Sequence, residues 1–110
     1  MPALGNLEIA PKYSQNPVAY AFTLTGSSMQ VLKFNALRER VIFHNPSGTA
    51  NVGLSPLVDQ NGNLLPATIH GPGSILMLPL TTFDLDSSPS SGWNAISDTP
   101  GSALTILEFF

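Results

Sequence analysis

Few side chains in this 110-residue sequence have the types and spacing that metal chemistry requires. His44 and His70 are its two histidines, and each lies beside turn residues. A metal-binding cupin presents two histidines one residue apart with a glutamate nearby, and a zinc site needs three or four converging ligands. We therefore predict that neither histidine binds a metal. The alternative, a cupin-like enzyme, requires the two histidines to converge in the fold.

A calcium loop is the second candidate site. Asp59, Asn61 and Asn63 occupy the first, third and fifth positions of such a loop. The glycine then falls at the fourth position instead of the sixth, and a histidine stands where the twelfth position requires a glutamate. The pair Asn61-Gly62 is instead typical of a type I′ turn. We predict a β-hairpin over residues 57–65.

Catalytic side chains are also poorly represented. Asp84 and Asp86 alternate on one predicted strand, as a general acid–base pair would, but they border a Ser/Pro-rich loop and are predicted to be a solvated strand end. Ser74 lacks the second glycine of a nucleophile elbow. Neither a Walker A sequence nor a dinucleotide fingerprint is present. The sequence therefore predicts a protein that is not an enzyme and uses no cofactor.

Trp93 is the single tryptophan and has two possible roles. In a carbohydrate- or receptor-binding module it would be an exposed stacking platform beside Asp84, Asp86 and Asn94. A lone tryptophan in an all-β domain more often fills the core, and we predict that position. An exposed Trp93 would favour the binding module, whereas a buried one would count against it.

The charge content excludes several classes of partner. Charged residues make up 10% of the chain, against about 25% in an ordinary soluble domain, and the net charge is −3. The four basic residues, Lys12, Lys33, Arg38 and Arg40, all lie in the first forty positions. No basic stripe is available for nucleic acid, and no polybasic segment for a membrane surface. The chain has no cysteine, signal peptide pattern or apolar run of spanning length, which favours a cytosol-like compartment.

The elements that would position these residues are short strands. Apolar and small residues alternate with period two over residues 18–25, and turn residues recur about every ten positions. This pattern predicts an all-β antiparallel β-sandwich or jelly-roll of about eight to ten short strands. We predict an extended N-terminal arm over residues 1–17 and a single domain over residues 18–110. The predicted strands are 7–10, 18–25, 29–34, 40–45, 51–54, the hairpin 57–65, 74–80 (covered on both faces), 81–85, 93–97 and 103–110.

A surface with so few charges favours permanent assembly over a free monomer. Uncharged groups are cheaper to desolvate, and the cores of protein interfaces are depleted in charge. The proline-rich arm and the uncapped Phe109-Phe110 end are the predicted contacts, which could add strands to a neighbour's sheet. A small, slightly apolar domain without a partner is the alternative. The predicted interface residues are Leu4, Leu7, Arg38, Arg40, Leu107, Phe109 and Phe110.

Three stretches carry a resemblance to a known class of proteins. They are RVIFHNPSGTANVGLSP, GPGSILMLPL and GWNAISDTPGSALTILEFF. The run from Arg40 to Phe110 resembles the small β-sandwich virion proteins of tailed bacteriophages, namely the capsid decoration, cement or staple proteins. The matching features are a strand that ends in an Asn and a small-residue turn (Asn45), a Gly-framed strand (Gly73), and a Trp-x-Ala-Ile-Ser strand before a last strand that ends near Glu108.

The resemblance implies a virion structural protein on the outer capsid surface, assembled in the host cytoplasm, with the major capsid protein as partner. It transfers no functional residues. Homo-oligomerisation as a dimer or trimer is the expected default for such a chain. Arg38 and Arg40 are the clustered cations that could meet an acidic capsid patch, although a solvated strand end explains them equally well. The alternative function is a carbohydrate- or receptor-binding module of a phage tail or fibre.

Overall fold

The computed structural model describes residues 17–110, so the predicted strand 7–10 and the interface candidates Leu4 and Leu7 lie outside it. Residues 17–110 form eight strands and no helix. The strands are β1 (Val18–Thr23), β2 (Met29–Leu32), β3 (Arg40–His44), β4 (Val52–Pro56), β5 (Ile75–Met77), β6 (Thr82–Leu85), β7 (Trp93–Ser97) and β8 (Ala103–Phe109). Across the same residues there is no helix with the length and hydropathy needed to span a bilayer.

The strands form two four-stranded antiparallel sheets. Sheet one has the order β1-β8-β3-β6 and sheet two the order β2-β7-β4-β5. The first strand pairs with the eighth, the second with the seventh, the third with the sixth and the fourth with the fifth. This is the pairing of one long antiparallel ribbon wrapped into a jelly roll. The predicted fold class is confirmed.

The core lies between the two sheets because their strands alternate in burial. In β3 and β8 every second side chain is buried, and Phe43 and Ile106 have no exposed surface. Val52 and Leu54 of β4 face them from sheet two and are equally buried. An alternating strand that buries one face is the pattern expected of a sandwich, which explains why the period-two signal predicted these strands well.

A long connection covers part of the outer face of sheet two. A Cβ atom added at Gly53 would lie 2.0 Å from the backbone oxygen of Thr68. The segment around Thr68 therefore packs directly on β4, and the Ser55 hydroxyl donates a hydrogen bond to the Leu65 oxygen at 2.9 Å. This close approach requires glycine at position 53 and explains why β4 is buried along most of its length.

The predicted hairpin at residues 57–65 is confirmed, but its predicted turn type is wrong. The Gly62 N–H donates to the Asp59 oxygen at 3.0 Å, and Gly62 has φ +81° while Asn61 is not in the positive region. The loop is thus a three-residue turn with a bulged glycine. The Asp59 carboxylate accepts N–H bonds from Asn61 (2.8 Å) and Asn63 (3.0 Å), so the residues of the calcium-like spacing hold the turn.

The prediction of a doubly covered strand over residues 74–80 is wrong. β5 has only three residues and lies at the edge of sheet two, where Ile75 and Leu76 are exposed. A short apolar run has the same sequence signal whether a second layer covers it or not.

The C-terminal strand β8 is central in sheet one and pairs with β1 and β3. Its backbone is therefore not available to extend a neighbour's sheet, which corrects that prediction.

Candidate interaction surfaces

The sandwich has two open sides, because each sheet ends in two edge strands. On the first, β1 of sheet one lies next to β2 of sheet two, and we call it the groove side. On the second, β6 lies next to β5, and we call it the ridge side. Short connections join the two edge strands on each side. Edge strands carry unpaired backbone groups, so these sides are where other chain segments are most readily added.

A buried ion pair stands behind the groove side. The Arg38 Nε donates to the Glu108 Oε2 at 2.7 Å, and both side chains are almost fully buried. The same guanidinium donates to the backbone oxygens of Pro89 and Ser91, each at 2.9 Å, and of Lys33 at 2.7 Å. Arg38 thus ties β8 to the connections β2–β3 and β6–β7. Truncating one partner of such a pair leaves an uncompensated buried charge.

The burial of Arg38 corrects its predicted role. Arg38 is 4% exposed, so it is neither a solvated strand end nor a cation that can meet an acidic capsid surface. Its partner Glu108 lies 70 residues away in the chain, and no local pattern signals that pairing. The Tyr20 hydroxyl also hydrogen-bonds with Glu108, and this bond raises the pKa of Tyr20 above its ordinary value.

Arg40 pairs with an acid on the other edge of sheet one. Its Nε and Nη2 donate to the two carboxylate oxygens of Asp84 at 3.0 and 2.5 Å. These hydrogen bonds lower the pKa of Asp84. The Arg40 guanidinium also lies over the Phe109 ring, 5.6 Å from its centroid. Both charged groups remain about two-fifths exposed, so the pair is a surface feature of small energetic weight.

Trp93 is in the core, as predicted. It is 6% exposed and packs edge-on against Phe43 at 5.5 Å and Phe83 at 5.9 Å between ring centroids. Within residues 17–110, its indole N–H has no hydrogen-bond partner. A side chain held in this way cannot be an exposed platform for a sugar, and Asp84 is engaged by Arg40. The grouping that would have favoured a carbohydrate-binding module is therefore not formed.

The histidines do not assemble a metal centre in the described part of the chain. The His44 Nδ1 lies 2.9 Å from the Thr82 hydroxyl, and His70 lies on an exposed turn. Within residues 17–110, no group of three or more histidine, aspartate or glutamate side chains is placed to hold a metal ion.

The ridge side carries exposed apolar side chains, and they lie on both faces of β5: Ile75 is in register with the buried Leu54 and faces inward, whereas Leu76 is in register with Gly53 and faces outward. Ile75, Leu76, Leu78 and Leu80 are 38%, 39%, 53% and 65% exposed, and we call these four residues the ridge. Nearly charge-free chain surrounds them, because Asp59 is the single Asp, Glu, Lys or Arg between Arg40 and Asp84. The ridge residues are not among the predicted interface residues. The long run of sequence without charge is the feature that could have indicated them.

A strained turn presents the ridge. The Thr81 N–H donates to the Leu78 oxygen at 3.3 Å and closes a turn with proline at its second position. Leu80 occupies the third position with φ +62°, the left-handed region that a glycine normally fills there. A bulky side chain in this region costs roughly 1–2 kcal/mol. The turn leaves Leu80 exposed, as it does Leu78.

The remaining predicted interface residues lie on the outer face of sheet one. Leu107 and Phe109 point outward on β8, on either side of the inward-facing Glu108. Both are half-buried, as is the terminal Phe110. Leu107 is in register with Ala19 of β1, whose small side chain leaves that part of the sheet flat. These residues form a shallow surface, and their predicted interface role stays a prediction.

Comparison with known proteins adds no family. No protein-family model matches the chain, and no curated protein matches it. A protein of Bacillus endospore appendages, which form disulfide-linked pili, is similar in structure over 87% of each chain, with a TM-score of 0.49 and 10% sequence identity. A likeness at this level supports no functional conclusion.

Proposed function

We propose that this chain is a non-enzymatic structural protein of a phage virion, which binds the outer surface of the capsid and stabilises the shell. The observation that carries the proposal is the ridge: four exposed apolar side chains on an open sheet edge, within chain that is almost free of charge. The resemblance of residues 40–110 to capsid decoration proteins supplies the partner class, the major capsid protein.

The ridge has the physical properties of the centre of an interface. Uncharged side chains lose little hydration energy when a partner covers them, and interface cores are depleted in charge. β5 has one unpaired backbone edge in the described structure, so a partner strand could extend sheet two there. Leu80 combines a left-handed φ of +62° with a side chain that is 65% exposed. Strained residues of this kind concentrate at binding sites.

The proposed mechanism is thermodynamic linkage. A protein that binds the assembled shell, and not the free capsid subunits, stabilises the shell by mass action. Many copies on one particle add avidity, especially if the protein is itself a dimer or trimer. Neither step needs a catalytic group, a cofactor, nucleic acid or a membrane.

The first test is the copy number of this chain in purified particles, measured by mass spectrometry against the major capsid protein. We expect a copy number comparable to that of the capsid subunits. Particles from which the protein has been removed should be disrupted at a lower temperature. A handful of copies would place the protein at the tail and favour the receptor-binding alternative. Complete absence from particles would overturn the proposal.

The second test asks whether the ridge makes the contact. Leu78→Ser/Leu80→Ser should weaken binding to stripped capsids at least tenfold, because both side chains are more than half exposed and contribute to docking more than to folding. Leu37→Ser is the control, since it removes a leucine that is even more exposed, from the β2–β3 connection, and should bind normally. Equal binding by both variants would show that the ridge is not the docking surface.

A further inference from the structure

An open groove lies on the groove side of the sandwich. It has a volume of about 410 Å³ and runs between the inner face of β1 and the chain that follows β2. Tyr20, Phe22, Val31 and Phe34 line its walls, and an adjoining depression of about 280 Å³ continues it along β2. The groove is open to solvent, and the buried core residues Val31 and Leu32 lie along it.

The apolar side chains of the groove point inward and yet remain accessible. Val18, Tyr20 and Phe22 are in register with Glu108, Ile106 and Leu104, which are the inward-facing residues of β8. The β8 side chains are buried, whereas Val18 and Tyr20 are about two-fifths exposed. Phe34 on the opposite wall is 68% exposed. These inward-facing apolar side chains are therefore not fully covered by residues 17–110, so another segment of chain could pack on them.

The groove offers apolar side chains to an occupant, and Lys33 is its one charged lining residue outside the Arg38–Glu108 pair. The charges at its base, Arg38 and Glu108, pair with each other, and Arg38 is further held by three backbone oxygens. Beside the groove, β1 pairs with β8 along one edge, and within residues 17–110 no strand pairs with its other edge. An extended segment with apolar residues at alternate positions would satisfy both features, with its backbone on β1 and its side chains in the groove.

We propose that residues 4–10 of the same chain are this segment: they pair with the open edge of β1 and place Leu7 and Ile9 in the groove. The chain outside the described structure ends at Asn16, immediately before β1, and supplies sixteen residues. Seven extended residues span about 23 Å, enough to cover the six residues of β1. Residues 11–17 remain for the reversal of direction, which is near the usual length of a connection.

The same chain is the favoured source of the segment because attachment raises its local concentration. A short flexible connection supplies an effective concentration in the millimolar range, which a second copy reaches only in an assembled particle. The proposal is independent of capsid binding, since it concerns the isolated protein. A second copy's N-terminal segment in the same groove is the competing occupant, and the experiment below distinguishes the two.

Hydrogen exchange of the full chain tests the proposal. In Leu7→Ser/Ile9→Ser, we expect the β1 amides that do not bond to β8 to lose at least tenfold protection, while β4 amides keep theirs. Leu4→Ser is the matched control, because Leu4 has the opposite parity and would face outward; it should leave β1 protection unchanged. A variant that lacks residues 1–16 should reproduce the loss seen in the double variant.

The molecular mass, measured by sedimentation on the same samples, separates the two sources. Lost protection with an unchanged mass supports the same-chain segment. Lost protection with a fall in mass would assign the groove to a neighbouring copy and overturn the proposal. Unchanged β1 protection in the double variant would also overturn it, because the segment would then not lie on β1.

Discussion

The two open sides of the sandwich expose similar amounts of apolar side chain but differ in what stands behind them. The groove side has inward-facing aromatics, a buried ion pair and sixteen residues of chain that begin beside it. The ridge side has the outward-facing Leu76 and two exposed leucines in the turn between β5 and β6, and the charged residue of its two edge strands is Asp84, which pairs with Arg40. Exposed apolar surface alone therefore does not identify a docking site. Two further features distinguish the sides. One is whether the exposed side chains point inward or outward, and the other is whether a segment of the same chain is close enough to cover them.

The largest effect should come from the ion pair behind the groove side. Arg38→Met should lower the free energy of unfolding by about 3–5 kcal/mol, because it leaves Glu108 as a buried, uncompensated charge. Urea denaturation measures the loss. Arg40→Met is the matched control on a surface pair, and it should cost less than about 1 kcal/mol. Equal losses in the two variants would contradict the structural role of Arg38.

Serine substitutions at one exposed apolar residue on each side allow the stability contributions of the two sides to be compared directly. If residues 4–10 cover the groove, Phe34→Ser should destabilise the full chain by about 1–2 kcal/mol, since a largely buried phenylalanine is lost. Leu78→Ser on the ridge should change stability by less than about 0.5 kcal/mol, as is usual for exposed positions. The same denaturation series measures both. A neutral Phe34→Ser would mean that the groove is open in the free protein.

Relief of the backbone strain at Leu80 should increase the stability of the protein while weakening binding at the ridge. Leu80→Gly should raise the free energy of unfolding by about 1 kcal/mol, because glycine adopts the observed φ of +62° without strain and few contacts of the exposed leucine are lost. The thermal midpoint of the isolated protein measures the gain. The same variant should bind capsids more weakly. A destabilised Leu80→Gly would show that the leucine makes stabilising contacts.

The smallest effect concerns pH at the outer edge of sheet one. Arg40 lowers the pKa of Asp84 in the folded protein, so this carboxyl adds stability above its unfolded pKa and loses it as pH falls through the folded value. Because the pair is partly exposed, its contribution should stay below about 1 kcal/mol. Stability should be flat from pH 7 to about 5 and fall at lower pH, and Asp84→Asn should reduce the fall. Identical acid profiles would contradict the pairing.

Much of the fold could be predicted from local patterns. The alternation of β1, β3 and β8 and the turn residues between strands are sufficient for an all-β sandwich, and Trp93 was placed in the core. The candidate site was harder to predict. The sequence predicts an exposed Arg38, because its partner Glu108 lies 70 residues away, and it predicts that the apolar run 74–80 is covered on both faces, because a short apolar run does not reveal that one covering layer is missing.

The alternating strands follow from local sequence, since alternation with period two matches the pleated backbone, and the scarcity of charge follows from composition. The tertiary structure decided which strands became edges, which of two neighbouring arginines was buried, and which exposed leucines were gathered into a ridge. The physical reason is that strand pairing and burial depend on contacts between distant segments. The identity of a residue's partner is set when the ribbon wraps into two sheets, and no stretch of neighbouring residues contains that information.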